Sequence, residues 1–183
     1  MSRFLLISFT TAAFCLPSTG CMSRAIKEGL GVATGASGKV VEVQKTTDLS
    51  KYKGFKVESL TAAPGLNMPS EVPAMVRQYF NEAAMKRGLT GSGTPALRLA
   101  GEIIHFESVG VVDTAIGPLE EVIVRTRLMD ADGGQVLTEA NLIGRAKSTT
   151  AGGAKNLSEG AGKALSKWLK ECGLKADEDE DKD

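Results

Sequence analysis

Few side chains in this chain have a type and spacing that could do chemistry. His105 is the only histidine, set in Ile103-Ile104-His105-Phe106-Glu107. A serine triad would need it as base, yet no Gly-x-Ser-x-Gly elbow presents a nucleophile. A lone histidine between apolar strand neighbours reads as structural. Two carboxylates acting as acid and base must reach a substrate from one side. Glu102 and Glu107, an odd number of residues apart on an extended segment, are expected on opposite faces, as are Glu120 and Glu121. Asp130, Asp132, Gly133 and Glu139 echo a calcium loop. Leu128 fills the first ligand position, however, Gln135 replaces the usual apolar residue, and the flanks are strands. Turn chemistry accounts for them. The segment Gly35-Ala36-Ser37-Gly38-Lys39 invites a phosphate-loop reading, which needs Gly at position 33 and Ser or Thr at position 40. The chain has Ala33 and Val40, so that reading is rejected. No catalytic residue, metal site or cofactor is assigned, and no enzyme activity is expected.

The cysteines point elsewhere. Arg3 is followed by an apolar run over residues 4–16, then by Ser18-Thr19-Gly20-Cys21. The run is short of the roughly 20 residues that span a bilayer and matches an export-signal core. Two endings are open. Cys21 is the lipid-attachment residue of a lipoprotein signal, although Ser18 stands where Leu is usual, or Gly20 and Ser18 serve an ordinary cleavage. Lipidation is preferred because nothing else employs a cysteine there. Acyl chains at about 0.8 kcal/mol per CH₂ would anchor the protein stably. Phe14 is too bulky for Cys15 to compete. Cys172 is then left alone, which excludes an intramolecular disulfide and a zinc cluster. It falls on the apolar face of the last helix, the place of a small buried hydrophobe.

The whole chain balances 22 basic against 22 acidic residues. Residues 175–183 hold six acids and two lysines, a composition expected to be disordered and solvated. Residues 22–174 carry 19 basic and 16 acidic residues, too mild an excess for nucleic acid, and aromatics are scarce. Once residues 1–20 are removed, enough chain remains for one domain with a real core.

The elements that must position these residues follow from periodicity. Residues 21–38, rich in glycine, read as anchor and flexible tether. A globular α/β domain spans 39–174. Strands are expected over 39–43 and 54–60, the second placing Phe55, Val57 and Ser59 on one face. Ser70 caps a helix whose stripe is Val72, Met75, Val76, Tyr79, Phe80 and Ala83, stopped by Gly88. Strands follow over 96–109, 120–130 and 135–147. Asp130 to Gly134 make the last two a hairpin, and Val122, Val124, Thr126 and Leu128 share a face. A helix over 154–172 buries Leu157, Ala161, Ala164, Leu165, Trp168 and Cys172. The expected fold is an α+β two-layer, one mixed four- to five-stranded sheet with two helices on one face and a parallel first crossover.

The run G-F-K-V, a helix, A-L-R-L-A-G-E-I, then L-M-D-A-D-G-G-Q-V-L and a closing helix resembles an uncharacterised family of bacterial envelope lipoproteins, a domain of unknown function. In layout it is distantly similar to the periplasmic domain of the curli secretion lipoprotein and to the N-terminal domain of the Tol translocation protein. The resemblance covers roughly residues 52–172 and implies an envelope protein with no catalytic residue to carry over. The expectation is a membrane-anchored binding or assembly module facing the periplasm or cell exterior. It would contact a protein partner through a sheet edge or the polar face bearing Arg125 and Arg127. A soluble periplasmic ligand receptor or enzyme, or a subunit of a homo-oligomer, are the alternatives.

Overall fold

Strict alternation builds the centre of the sheet. In the computed structural model, residues 35–44, 48–108, 120–146 and 153–174 are described, and all belong to one compact unit, Ala33–Asp183. The expected export signal, Cys21 and the acidic segment 175–183 lie outside the described residues. β1 (Ala36–Gln44), β2 (Gly54–Ala62), α1 (Val72–Met85), β3 (Ala96–Glu107), β4 (Glu121–Asp130), β5 (Val136–Ala146) and α2 (Gly153–Glu171) follow in the expected order. The sheet runs β1-β5-β4-β3-β2, with β2 and β3 parallel around α1 and every other pair antiparallel. This is the five-stranded mixed α+β fold.

In β4, Val122, Val124, Thr126 and Leu128 are wholly buried while Arg125 and Arg127 are exposed. The Thr126 hydroxyl donates to the Ala140 carbonyl at 2.8 Å, which satisfies a polar group that burial would otherwise penalise. Against this face pack Val76 and Phe80 of α1 and Leu157, Leu165 and Trp168 of α2. Burying each large apolar side chain stabilises the fold by about 1.5–3 kcal/mol, so the helix stripes hold the layers together. Both helices end alike. Gly88 and Gly173 take positive φ, and the amides of Leu89 and Leu174 donate back to Ala84 and Leu169. These left-handed caps turn each following leucine into the core.

Four local expectations are corrected. β1 begins at Ala36, so residues 36–38 pair with β5 instead of belonging to the tether. The reason is close packing. A Cβ on Gly38 would strike the backbone of Gly160 and Ala164, and one on Gly144 the backbone of Leu157 and Ala161. Glycine lets α2 lie directly on β1 and β5. Second, Ser70 does not cap α1. Glu71 precedes the helix without a side-chain cap, and Pro73 sits in its first turn, where a missing N–H costs nothing. Third, a register shift at Glu58 turns Ser59 outward and Leu60 inward. Fourth, a shift at Ile104 changes the parity of β3. Both are bulges, in which one extra residue reverses the alternation.

Candidate functional site

Among the described residues the helices cover one face of the sheet and leave the other open. Across it the register lays out charged and apolar rows. Glu102 lies opposite Arg125, and Arg127 stands between Ala100 and Glu139. Arg125 reaches Glu102 at 3.5 Å, Arg127 reaches Glu139 at 3.0 Å, Arg145 reaches Glu121 at 2.8 Å and Arg98 reaches Glu58 at 2.9 Å. Each pair spans two strands, the arrangement by which opposite charges support a sheet. Between the charged rows run Ile143 and Ile123, neighbours in register, with Lys39 of β1 beyond Ile143, while the half-exposed Val41 lies beside Asn141 in the row of Arg125.

The two arginines singled out from the sequence therefore sit side by side on this face, their side chains 53% and 55% exposed. Each is already held by a glutamate. Such an array offers little net charge to a small ion and much hydrogen-bonding capacity to a flat polar surface. The edges differ. On β2 the Val57 carbonyl accepts a hydrogen bond from Arg77 of α1 at 2.7 Å, which occupies part of that edge. On β1 residues 41–44 are exposed, Val43 at 61%.

The chemistry-bearing residues are placed as follows. The bulge at Ile104 sets Glu107 opposite Glu121 and His105 opposite Ile123, so Glu102 and Glu107 share the open face. This overturns the expectation of opposite faces. They remain apart in use, since Glu102 pairs with Arg125 and Glu107 lies 3.7 Å from His105 Nε2. Among the described residues no group of three His, Cys, Asp or Glu side chains could hold a metal. Asp130 builds its turn. Its Oδ1 accepts the amides of Asp132 and Gly133 at 2.8 and 3.3 Å, and the positive φ falls on Gly134. Cys172 is buried as expected.

Sequence reasoning missed Tyr52. It is 1% exposed, and its hydroxyl donates to Asp130 Oδ2 at 2.6 Å. Burial, then the bond and charge of Asp130, push the phenol up to about 12. The same bond, with the Asp132 and Gly133 amides, holds the Asp130 carboxyl below its ordinary value. The signal that could have found it was a lone Tyr before a strand and an Asp at a hairpin, too common to pair by inspection.

No family model matches the chain, and no curated protein is similar to it. Solved structures are. PelC from Paraburkholderia phytofirmans, solved as a dodecamer, is 15% identical with a TM-score of 0.52 over 75% of this chain and 99% of PelC. A point variant of the same dodecamer in a second crystal form gives 0.50 at 15% identity, over 74% of this chain and 96% of that one. A protein from Caulobacter crescentus, classed provisionally as a lipoprotein, is 16% identical with a TM-score of 0.39 over 66% of this chain and 93% of its own. The likeness to PelC is one of fold and runs through nearly the whole of PelC.

Proposed function

We propose that this protein is an exported lipoprotein, anchored through Cys21, that acts at the cell envelope as a non-catalytic binding or assembly module. The observation that carries this reading is the open sheet face. Among the described residues one side of the sheet is left uncovered by the helices, with Arg125 and Arg127 prominent on it and apolar Val41, Ile123 and Ile143 nearby. A flat, mixed surface of this kind suits a protein partner. The anchor confines the domain to a membrane surface, and this raises effective concentration without strengthening any contact.

The test is an in-cell crosslinking pull-down from membranes with Cys21→Ala as control. A partner captured by the wild type and lost in the control supports the reading. Equal solubility of both forms with no partner refutes it and returns attention to a soluble receptor or enzyme.

A second reading, a subunit of a homo-oligomer, draws support from the fold shared with PelC, a dodecamer. Light scattering on detergent-solubilised protein separates a ring from a monomer.

A further inference from the structure

The helix layer differs in charge from the sheet face. The exposed positions of α2 are Lys155, Lys163, Lys167, Lys170 and Glu171. At about 100° per residue the four lysines fall within roughly a third of the helix circumference, opposite the buried Leu165 and Trp168. Glu159 meets Lys163 at 2.9 Å, and Glu171 lies at the row's edge. The sheet face neutralises its own arginines, whereas this row keeps Lys155, Lys167 and Lys170 without a carboxylate within ion-pair distance among the described residues.

A second observation fixes where the row lies in the chain's path. Lys163 Nζ donates to the Ala36 carbonyl at 3.1 Å. Ala36 opens β1, so the segment that runs from Cys21 joins the domain beside the lysines. Residues 22–35 reach at most roughly 50 Å even when fully extended.

We infer that the lysine row of α2 is the membrane-facing surface of the domain and docks on anionic phospholipid headgroups. This rests on the reading of Cys21 as the lipid-attachment residue. The acyl chains hold the protein at the bilayer, and the lysines orient it. The helix layer then faces the headgroups, and the open sheet face turns away from them toward a partner. Each lysine close to an anionic surface favours the docked state by about fivefold, and the attraction fades within a Debye length.

The full chain, purified from membranes in detergent, is placed in phosphatidylcholine vesicles with or without phosphatidylglycerol. Its lysines are then labelled with an amine-reactive reagent and read by peptide mass spectrometry. Phosphatidylglycerol should slow labelling of Lys155, Lys163, Lys167 and Lys170 by about fivefold or more, leave Lys56 on the sheet face unchanged, and lose its effect in high salt. The triple variant Lys155→Glu, Lys167→Glu, Lys170→Glu should abolish the protection of Lys163. Flotation and acyl labelling of the same sample report the anchor separately. An acylated protein that floats with both vesicles and labels equally on both overturns the docking and leaves the anchor reading intact. A protein that carries no acyl chain and floats with neither overturns both. Protection on both vesicle types that disappears when residues 175–183 are deleted assigns the row to the acidic segment instead and overturns the docking.

Discussion

Tyr52 donates its phenolic proton to Asp130 across 78 residues of chain at 2.6 Å, joining the loop ahead of β2 to the turn of the β4–β5 hairpin. Both ends are braced. Lys53 N–H bonds the Pro95 carbonyl, and Asp130 N–H bonds the Gln135 carbonyl. The bond therefore ties one end of the sheet together from three directions.

Tyr52→Phe should lower stability by about 0.5–1.5 kcal/mol, because a part-buried hydrogen bond is lost. Urea unfolding of both proteins measures it. A variant as stable as the wild type would mean that the bond contributes nothing.

The same pair sets two pH limits. Tyr52 ionises near 10.0 when unfolded and at about 12 when folded. Its contribution is complete below the lower value and is lost as pH climbs through the upper one. Asp130 and Asp48 are shifted the other way, Asp48 by the amide and hydroxyl of Ser50. Their contributions are present above the ordinary carboxylate value and disappear as pH falls through the lowered one. Melting temperature against pH should decline at both extremes, and Tyr52→Phe should remove the part of the alkaline decline due to this phenol.

Gly144→Ala should destabilise by roughly 1–3 kcal/mol, since the added carbon meets the backbone of Leu157 and Ala161 and neither helix nor strand can retreat cheaply. Gly133→Ala is the control. Nothing stands within 4 Å of its added carbon and its φ is not positive, so its melting point should stay within a degree or two. Equal losses in the two variants would remove close helix–strand approach as the reason for glycine at position 144.

Arg125→Gln with Arg127→Gln should abolish partner capture while changing stability by less than about 1 kcal/mol per pair, the scale of exposed ion pairs. Urea unfolding and the membrane pull-down are run on the same variant. Capture that survives would move the contact surface off the open face.

Trp168, the only tryptophan, is fully buried, and its Nε1 has no hydrogen-bond partner among the described residues. Its emission should be blue-shifted and resistant to iodide until the domain unfolds. Ready quenching in the native protein would mean that α2 does not pack as described.

Where periodicity is long, the sequence was readable. The Val122–Leu128 face and the Leu157–Trp168 stripe are repeated too regularly to belong to anything but a strand and a helix, and the Asp130–Gly134 turn is written in its own side chains. The candidate surface was half legible. Arg125 and Arg127 share a face by simple alternation, but their partners Glu102 and Glu139 lie on other strands and depend on register. The bulge at Ile104, which moves Glu107 onto that face, has no marker in residue type. Gly38 misled for a related reason. A glycine that admits a helix backbone and a glycine in a spacer look the same until the helix is in place.

The strand order has a consequence for how the protein is made. Among the described residues β1 pairs only with β5, so this first described strand finds its partner only after residues 136–146 have arrived. Long-range pairing of this kind is slow and leaves strand edges uncovered meanwhile. If the chain is exported as proposed, threading from its N-terminus would carry it across without a finished sheet. Val40 and Val41 would wait without Leu142 and Asn141, their partners in register, until the hairpin is complete.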